Sequence, residues 1–357
     1  MTTGAQGSLS AALGLDGGIV CAVGAGGKKS LLYALAREAA GRVGVTSTVM
    51  MLTFPPALRA QIVLGDDAAL RQALARPGES GLLAYACPCD KRGRLAGVAP
   101  ATVADIHVRG QFGLTLVKAD GARMRGIKAP RPGEPLLPET TAWVLPVVSA
   151  AVIGKPLDAG TAHRPERLAD AVGAEPSAPL TAEHIGRLLA SERGSLQATA
   201  GLRVVPVINQ VDNDDRLWQA RNAAHIALAR SDRFDRVVLT CLRRDNPLVE
   251  IVFRDPALQR PMESTLPIIR IALPEPLQAL AGDAASLTAS GANVGQALAD
   301  LGSRHLALTR RLLTRSGAVR EHVNLFLNDQ DIRAAKGLKT PLHDGDVLLV
   351  VASVAGG

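Results

Sequence analysis

Near the amino end, Gly24-Ala25-Gly26-Gly27-Lys28-Lys29-Ser30 has the residue types that hold a phosphate. An apolar run, Ile19 to Val23, leads into it, and a helical pattern from Leu31 to Ala40 follows. Glycines let backbone N–H groups converge on an anion, the helix N-terminus adds its dipole, and a lysine there reaches β and γ phosphates. The spacing departs from G-x4-G-K-[ST] at two points: Ala22 stands at the first glycine position, and Lys29 where a Mg-ligating hydroxyl belongs, leaving Ser30 to supply it. The run Leu114 to Ala119 ends in Asp120, a carboxylate suited to holding a Mg-bound water near a γ-phosphate. Asp120 and Ser30 are therefore the candidate Mg ligands. A third run, Arg203 to Ile208, ends in Asn209-Gln210-Val211-Asp212, where a carboxylate can accept paired hydrogen bonds from a guanine edge. An Asp after a strand also serves as a cap or turn residue, so each position has a structural alternative. After Asp120 come Arg123, Arg125, Lys128 and Arg131 in a Gly- and Pro-containing loop with Glu134, and further on His163-Arg164. Arg123, Lys128, Glu134, His163 and Arg164 are the candidate ligand loop for a phosphate, a pterin phosphate or molybdate, against a solvated basic loop and a helix start. At the carboxyl end, Ala355-Gly356-Gly357 follows an apolar run. A tail without side-chain bulk suits threading into a narrow partner site, against a frayed terminus.

Positioning these groups requires strands that end together. Ile19 to Val23, Val43 to Thr48, Gly81 to Tyr85, Leu114 to Ala119, Trp143 to Val148, Arg203 to Ile208 and Arg236 to Cys241 are continuous apolar runs with helical patterns between them. Runs of that kind predict a doubly wound α/β domain with a parallel sheet covered on both faces, and ligands bind at the carboxyl ends of such strands. Residues 1–16 read as a disordered leader, 17–253 as this domain and 254–265 as a linker with two prolines. In residues 266–357 the pattern changes to strands at 268–273 and 286–289, a helix opening at Asn293, and strands at 322–328 and 346–351. That order predicts a small α+β domain.

Composition sets the class. In 357 residues, 47% are hydrophobic and 20% charged, which supports packed cores and excludes disorder. No apolar stretch reaches the roughly 18 to 20 residues of a membrane span, and no basic residue precedes Lys28 to make a secretory signal. A cytoplasmic protein is expected. The net charge of +7 invites a nucleic-acid reading, but aromatics are only 3% and basic residues form no long run. Residues 266–357 hold nine Lys plus Arg and eight Asp plus Glu, so most of the excess lies in the larger domain. A small anion accounts for it better than nucleic acid. Cys87-Pro88-Cys89 lacks a second pair for a zinc site.

The segments at 24–38, GVTSTVM (44–50), KADGARMRGIKAPRPGEPLLPE (118–139), VIGKPL (152–157), HRPERL (163–168) and VINQVD (207–212) resemble the YqeC-like family. Its members are described as nucleotide-binding accessory proteins of selenium-dependent molybdenum hydroxylases. Over about residues 17 to 250, the resemblance implies a P-loop NTPase-like fold and a maturation role around the molybdenum cofactor. ATP or GTP with Mg would be the ligand, with no bound organic cofactor. Where the family favours Gly-Lys-Thr, this chain has Lys28-Lys29-Ser30; a family Glu is here Lys118, and Gln210 replaces a Lys in the base motif. These departures predict nucleotide binding over efficient hydrolysis, with weak NTPase activity left open.

His322-Val-Asn-Leu-Phe-Leu-Asn-Asp-Gln-Asp-Ile-Arg333, Gly337 to Asp346 and the terminal Gly356-Gly357 are similar to the ubiquitin-like sulfur carriers. That group holds the small subunit of molybdopterin synthase and the thiamine and cysteine-synthase carriers. The resemblance implies a β-grasp fold, adenylation of Gly357 by an E1-like partner, and a thiocarboxylate there after displacement by a sulfur donor. Asp331, Arg333 and Asp346 read as turn formers. The expected function is molybdenum hydroxylase maturation, with the molybdopterin synthase large subunit or maturation proteins as further partners. The alternatives are a non-hydrolysing scaffold and a carrier for cysteine or thiamine synthesis.

Overall fold

The computed structural model describes residues 8–254, 266–314, 317–343 and 345–352. The chain divides into two compact units, Met1–Arg254 and Asp255–Gly357. Most of the expected linker lies outside the described residues.

In the first unit the strand order across the sheet is Leu248–Phe253, Arg236–Thr240, Val207–Asn209, Thr141–Ser149, Gly18–Gly24, Leu114–Lys118, Arg42–Ser47, Gly81–Ala86 and Gln61–Leu64. All neighbours run parallel except the edge strand Leu248–Phe253. The apolar runs are continuous because both faces are covered: Ile19, Cys21 and Val23 enter one core, and Val20 and Ala22 the other. The helices Pro165–Val172, Ala182–Ala190 and Asp214–Arg230 lie over the first face, and Lys28–Glu38 over the second. This is a doubly wound α/β unit with a parallel-rich sheet. The run 203–208 is interrupted at Pro206, which has no N–H for the ladder, and splits into Arg203–Val204 and Val207–Asn209.

The expected disordered leader is corrected over residues 8–16. Leu9–Ala12 is a helical turn capped by Ser8, and Glu38 accepts hydrogen bonds from the Leu9 and Ser10 N–H groups at 3.2 and 3.1 Å. Leu9 and Leu13, one turn apart, are buried against the sheet's second face. Asp16 accepts from Arg203 at 2.7 and 3.0 Å, and that guanidinium lies 3.9 Å from the Trp143 ring centroid. Small residues gave the segment its loop-like composition, while the leucine spacing decided its packing.

The second unit has one five-stranded sheet, ordered Ser286–Ser290, Ile268–Ala272, Val347–Ala352, Val323–Leu327, Gln330–Asp331. Its central pair, Ile268–Ala272 and Val347–Ala352, is parallel and the other pairs are antiparallel. Asn293 caps Val294–Arg304 by accepting from the Gln296 N–H at 3.0 Å. Val294, Ala297, Leu298 and Leu301 recur at helical spacing and pack with Ile269, Ile271, Leu348 and Val350. A helix grasped by a mixed sheet with a parallel central pair is the β-grasp arrangement. Among the described residues, no helix is long and apolar enough to cross a membrane.

Candidate anion-binding site and carrier domain

The loop after Gly18–Gly24 lies at a switch point. From this strand the chain crosses to Arg42–Ser47 on one side, whereas from its neighbour Thr141–Ser149 it proceeds to Val207–Asn209 on the other. In open α/β sheets, the crevice formed there takes ligands. Gly24, Gly26 and Gly27 have φ of 85°, 88° and 142°. A Cβ on Gly26 would lie 2.5 Å from the Ser149 nitrogen, and one on Gly27 2.3 Å from Asn209 Nδ2. Glycine is required on both counts. The helix opens at Lys28 with no side-chain cap bond and no acidic residue in its first turn. Its end is therefore electropositive and open to an anion.

Behind the loop runs a chain of buried charges. Lys28 Nζ lies 2.6 Å from Asp120 Oδ1 and also donates to the Gly24 carbonyl. Asp120 Oδ2 accepts the Gly24 N–H at 2.9 Å and faces Lys128 Nζ at 2.8 Å. Lys128 reaches Glu134 at 2.8 Å and the Gly121 carbonyl at 2.9 Å. Glu134 in turn accepts both ends of the Arg164 guanidinium, at 2.8 and 2.9 Å. Burial opposes both charges of the Lys28–Asp120 pair, lowering Lys28 and working against Asp120. With two ammonium groups and an N–H on one carboxylate, Asp120 stays ionised below the usual carboxylate range. For Glu134, burial is likewise outweighed by Arg164 and Lys128, which hold the carboxyl down to about 2.

These contacts redistribute the expected roles. Lys128 is corrected from a ligand contact to a brace: its three N–H donors meet Asp120, Glu134 and Gly121, leaving none for an anion. Glu134 is its counter-charge. Arg123 is exposed at the mouth with φ of 46°, beside Met124 at 62°. Asn209 is buried, donates to the Gly26 carbonyl at 2.7 Å, and accepts from Thr240 and Leu242 at 3.2 and 3.1 Å. It fastens the glycine loop to the end of the strand Val207–Asn209, one strand beyond Thr141–Ser149. Asp212 is half-buried and accepts from Arg216 at 2.6 and 2.7 Å. Ser30 is exposed on the helix, and no hydrogen bond links it to Asp120 among the described residues. Gly357 lies outside the described residues. Lys118, noted in the sequence only as standing in place of a family Glu, is a half-buried amine at the end of its strand and was not among the expected site residues.

His163 sits beside this positive field. Burial first, then Arg164, Lys128 and Arg123, push its imidazole down to about 4 from an ordinary 6.5. Between those values the unfolded chain binds a proton that the folded chain does not, so stability falls as pH drops from about 6.5 to 4. Glu134 adds a second loss between its unfolded value near 4.5 and about 2. Thermal melts across this range should show the first decline flattened in His163→Gln. An unchanged profile would contradict the placement of His163.

The N-terminal region matches the family model for the YqeC protein over residues 20–166. "Uncharacterized protein YqeC" of Escherichia coli (strain K12) is 29% identical over 196 residues, covering 54% of this chain and 75% of that protein. The ThiS family model matches residues 271–357. The sulfur carrier protein CysO of Mycobacterium bovis is 33% identical over 91 residues, which cover 25% of this chain and 98% of the relative. A chain in the crystal structure of the Amycolatopsis orientalis BexX/CysO complex is 32% identical, with 25% of this chain and 99% of that one covered at a TM-score of 0.24. The second unit is thus a ubiquitin-like carrier domain by class. The chain belongs to the ThiS family of sulfur carriers, and its N-terminal region is similar to the YqeC protein.

Proposed function

We propose that this protein is a maturation factor for molybdenum hydroxylases, in which a nucleotide-binding YqeC-like unit accompanies a sulfur carrier loaded at Gly357. The observation that carries the reading is the family match from residue 271 through the terminal Gly356-Gly357. A carboxylate is a poor acyl donor. An E1-like partner would join the Gly357 carboxylate to the α-phosphate of ATP, releasing pyrophosphate, and sulfide would then displace AMP to leave a thiocarboxylate. The partners supply the catalytic groups, and the carrier supplies a narrow tail. The molybdopterin synthase large subunit and hydroxylase maturation proteins are the proposed acceptors. The CysO relatives favour a second reading, in which the sulfur goes to another biosynthetic acceptor.

In the first unit, the glycine loop at the switch point, the uncapped helix start and Lys28 support a P-loop-like phosphate site for ATP or GTP. Asp212, half-buried beyond Asn209, is the proposed base contact once Arg216 yields it. Titration of ATP and GTP by calorimetry tests the assignment. Binding should weaken at least about tenfold in Lys28→Ala, the scale of one charge-assisted hydrogen bond. Binding that survives Lys28→Ala unchanged would remove the phosphate-loop reading.

A further inference from the structure

A divalent cation held by Asp120 needs an open carboxylate oxygen about 2.1 Å away. On Asp120, Oδ1 accepts no hydrogen bond but has the Lys28 ammonium 2.6 Å away, while Oδ2 faces Lys128 at 2.8 Å and accepts the Gly24 N–H at 2.9 Å. A metal ion there would be a third positive group on one carboxylate, and its arrival would require an ammonium to leave. Ser30, the other expected ligand, is exposed on the helix. With an ammonium against each of its oxygens, Asp120 does not fit a Mg ion held directly by its carboxylate.

Another cation stands close by. Lys118 closes the strand that pairs with the loop strand, in register with Ala22 on one side and Ser47 on the other. Its Nζ donates to the Met50 carbonyl at 3.3 Å, and among the described residues no carboxylate pairs with it. Burial first, then Lys28, holds its ammonium down to about 7; Lys29 and Lys128 also repel it, and Asp120 attracts it from beyond pairing distance. Among the described residues acting on Lys28, Lys118 and Glu134, the cations Lys28, Lys29, Lys118, Lys128 and Arg164 outnumber the carboxylates Asp120 and Glu134. Positive charge withdrawn from water without a partner is costly, and an anion of several charges removes that cost. A phosphate monoester would neutralise only part of the excess.

We propose that the glycine loop binds a polyphosphate without a divalent cation, with the Lys118 ammonium standing where a metal would meet the terminal phosphate. The inference rests on the phosphate-loop reading and adds what that reading leaves open, the counter-ion. Lys118 is a binding residue in this account, and Lys128 a positioning residue that acts through Asp120.

Calorimetric titration of the full chain with inorganic tripolyphosphate and with ATP, in EDTA and in excess Mg, tests it. Binding in EDTA should be at least as tight as in Mg, because Mg bound to the phosphates lowers the charge that the lysines read. Lys118→Met should weaken tripolyphosphate binding in EDTA about tenfold, while Lys118→Arg keeps most of it. The melting temperature of Lys118→Met should be unchanged or raised, which separates lost binding from lost folding. Tenfold tighter binding in Mg than in EDTA would overturn the proposal, and so would unchanged affinity in Lys118→Met. Absence of binding by the unaltered chain in both buffers would remove this inference and the phosphate loop together. Binding that depends on Lys28 and not on Lys118 would remove this inference alone.

Discussion

Replacing Asp120 by alanine should destabilise the Met1–Arg254 unit by about 3–5 kcal/mol, the scale of removing one partner from a buried ion pair. Asp120 is 2% exposed and is the only carboxylate that Lys28 pairs with among the described residues. Without it two ammonium groups face each other across the vacated volume, and the Gly24 N–H loses its acceptor. Lys128 retains Glu134, so the loss falls mainly on Lys28 and the glycine loop. Chemical denaturation followed by Trp143 and Trp218 fluorescence would read it, since both tryptophans belong to this unit. A shift below about 1 kcal/mol, the value of an exposed pair, would show that the charges are solvated and the chain of contacts is weak. Asp120→Asn separates charge from shape: the amide can still accept the Gly24 N–H but cannot balance two lysines.

Removal of Gly357 should abolish sulfur loading and leave the stability of both units unchanged. Leu348 and Val350, several residues before Gly357, are the last described residues buried in the β-grasp core. The terminal carboxylate, in contrast, is the proposed reacting group, and shortening the chain moves it back by about 3.3–3.6 Å, the length of one residue. A partner site that accepts only glycine in extended form would then meet Gly356 out of register. Loss of loading together with loss of folding would assign the tail a structural role instead.

The sheet of the first unit was legible because its strands are apolar on both faces; Ile19 to Val23 needs no alternation when each residue has a core to enter. The edge strand Gln61–Leu64 escaped the same reading, since Ile62 and Leu64 are 52% and 53% exposed and there is no buried face to set a pattern. Gly26 and Lys28 could be placed from local order alone, as strand, loop and helix follow one another in the chain. The network behind them could not. Lys28, the loop holding Asp120, Lys128 and Glu134, and Arg164 meet only after three separate segments are brought together, and spacing carries no record of which basic residue will find which acid. That is why Lys128 read as a ligand contact and proved to be a brace, and why Lys118 was noted as a departure but not counted among the site residues. In the second unit, Asn293 and the recurrence of Val294, Ala297, Leu298 and Leu301 fixed the helix, while the tail chemistry came from family resemblance and not from geometry.

The central claim is that this chain carries sulfur on Gly357. Its most direct test is the intact mass of the full chain after incubation with ATP, an E1-like activating enzyme and sulfide. The account predicts the exchange of one oxygen for one sulfur, located to the carboxyl-terminal peptide and absent when Gly357 is deleted. An unchanged mass with an activating enzyme that loads an established ThiS-family carrier in the same mixture, or sulfur found on Cys87 or Cys89 instead, would contradict it.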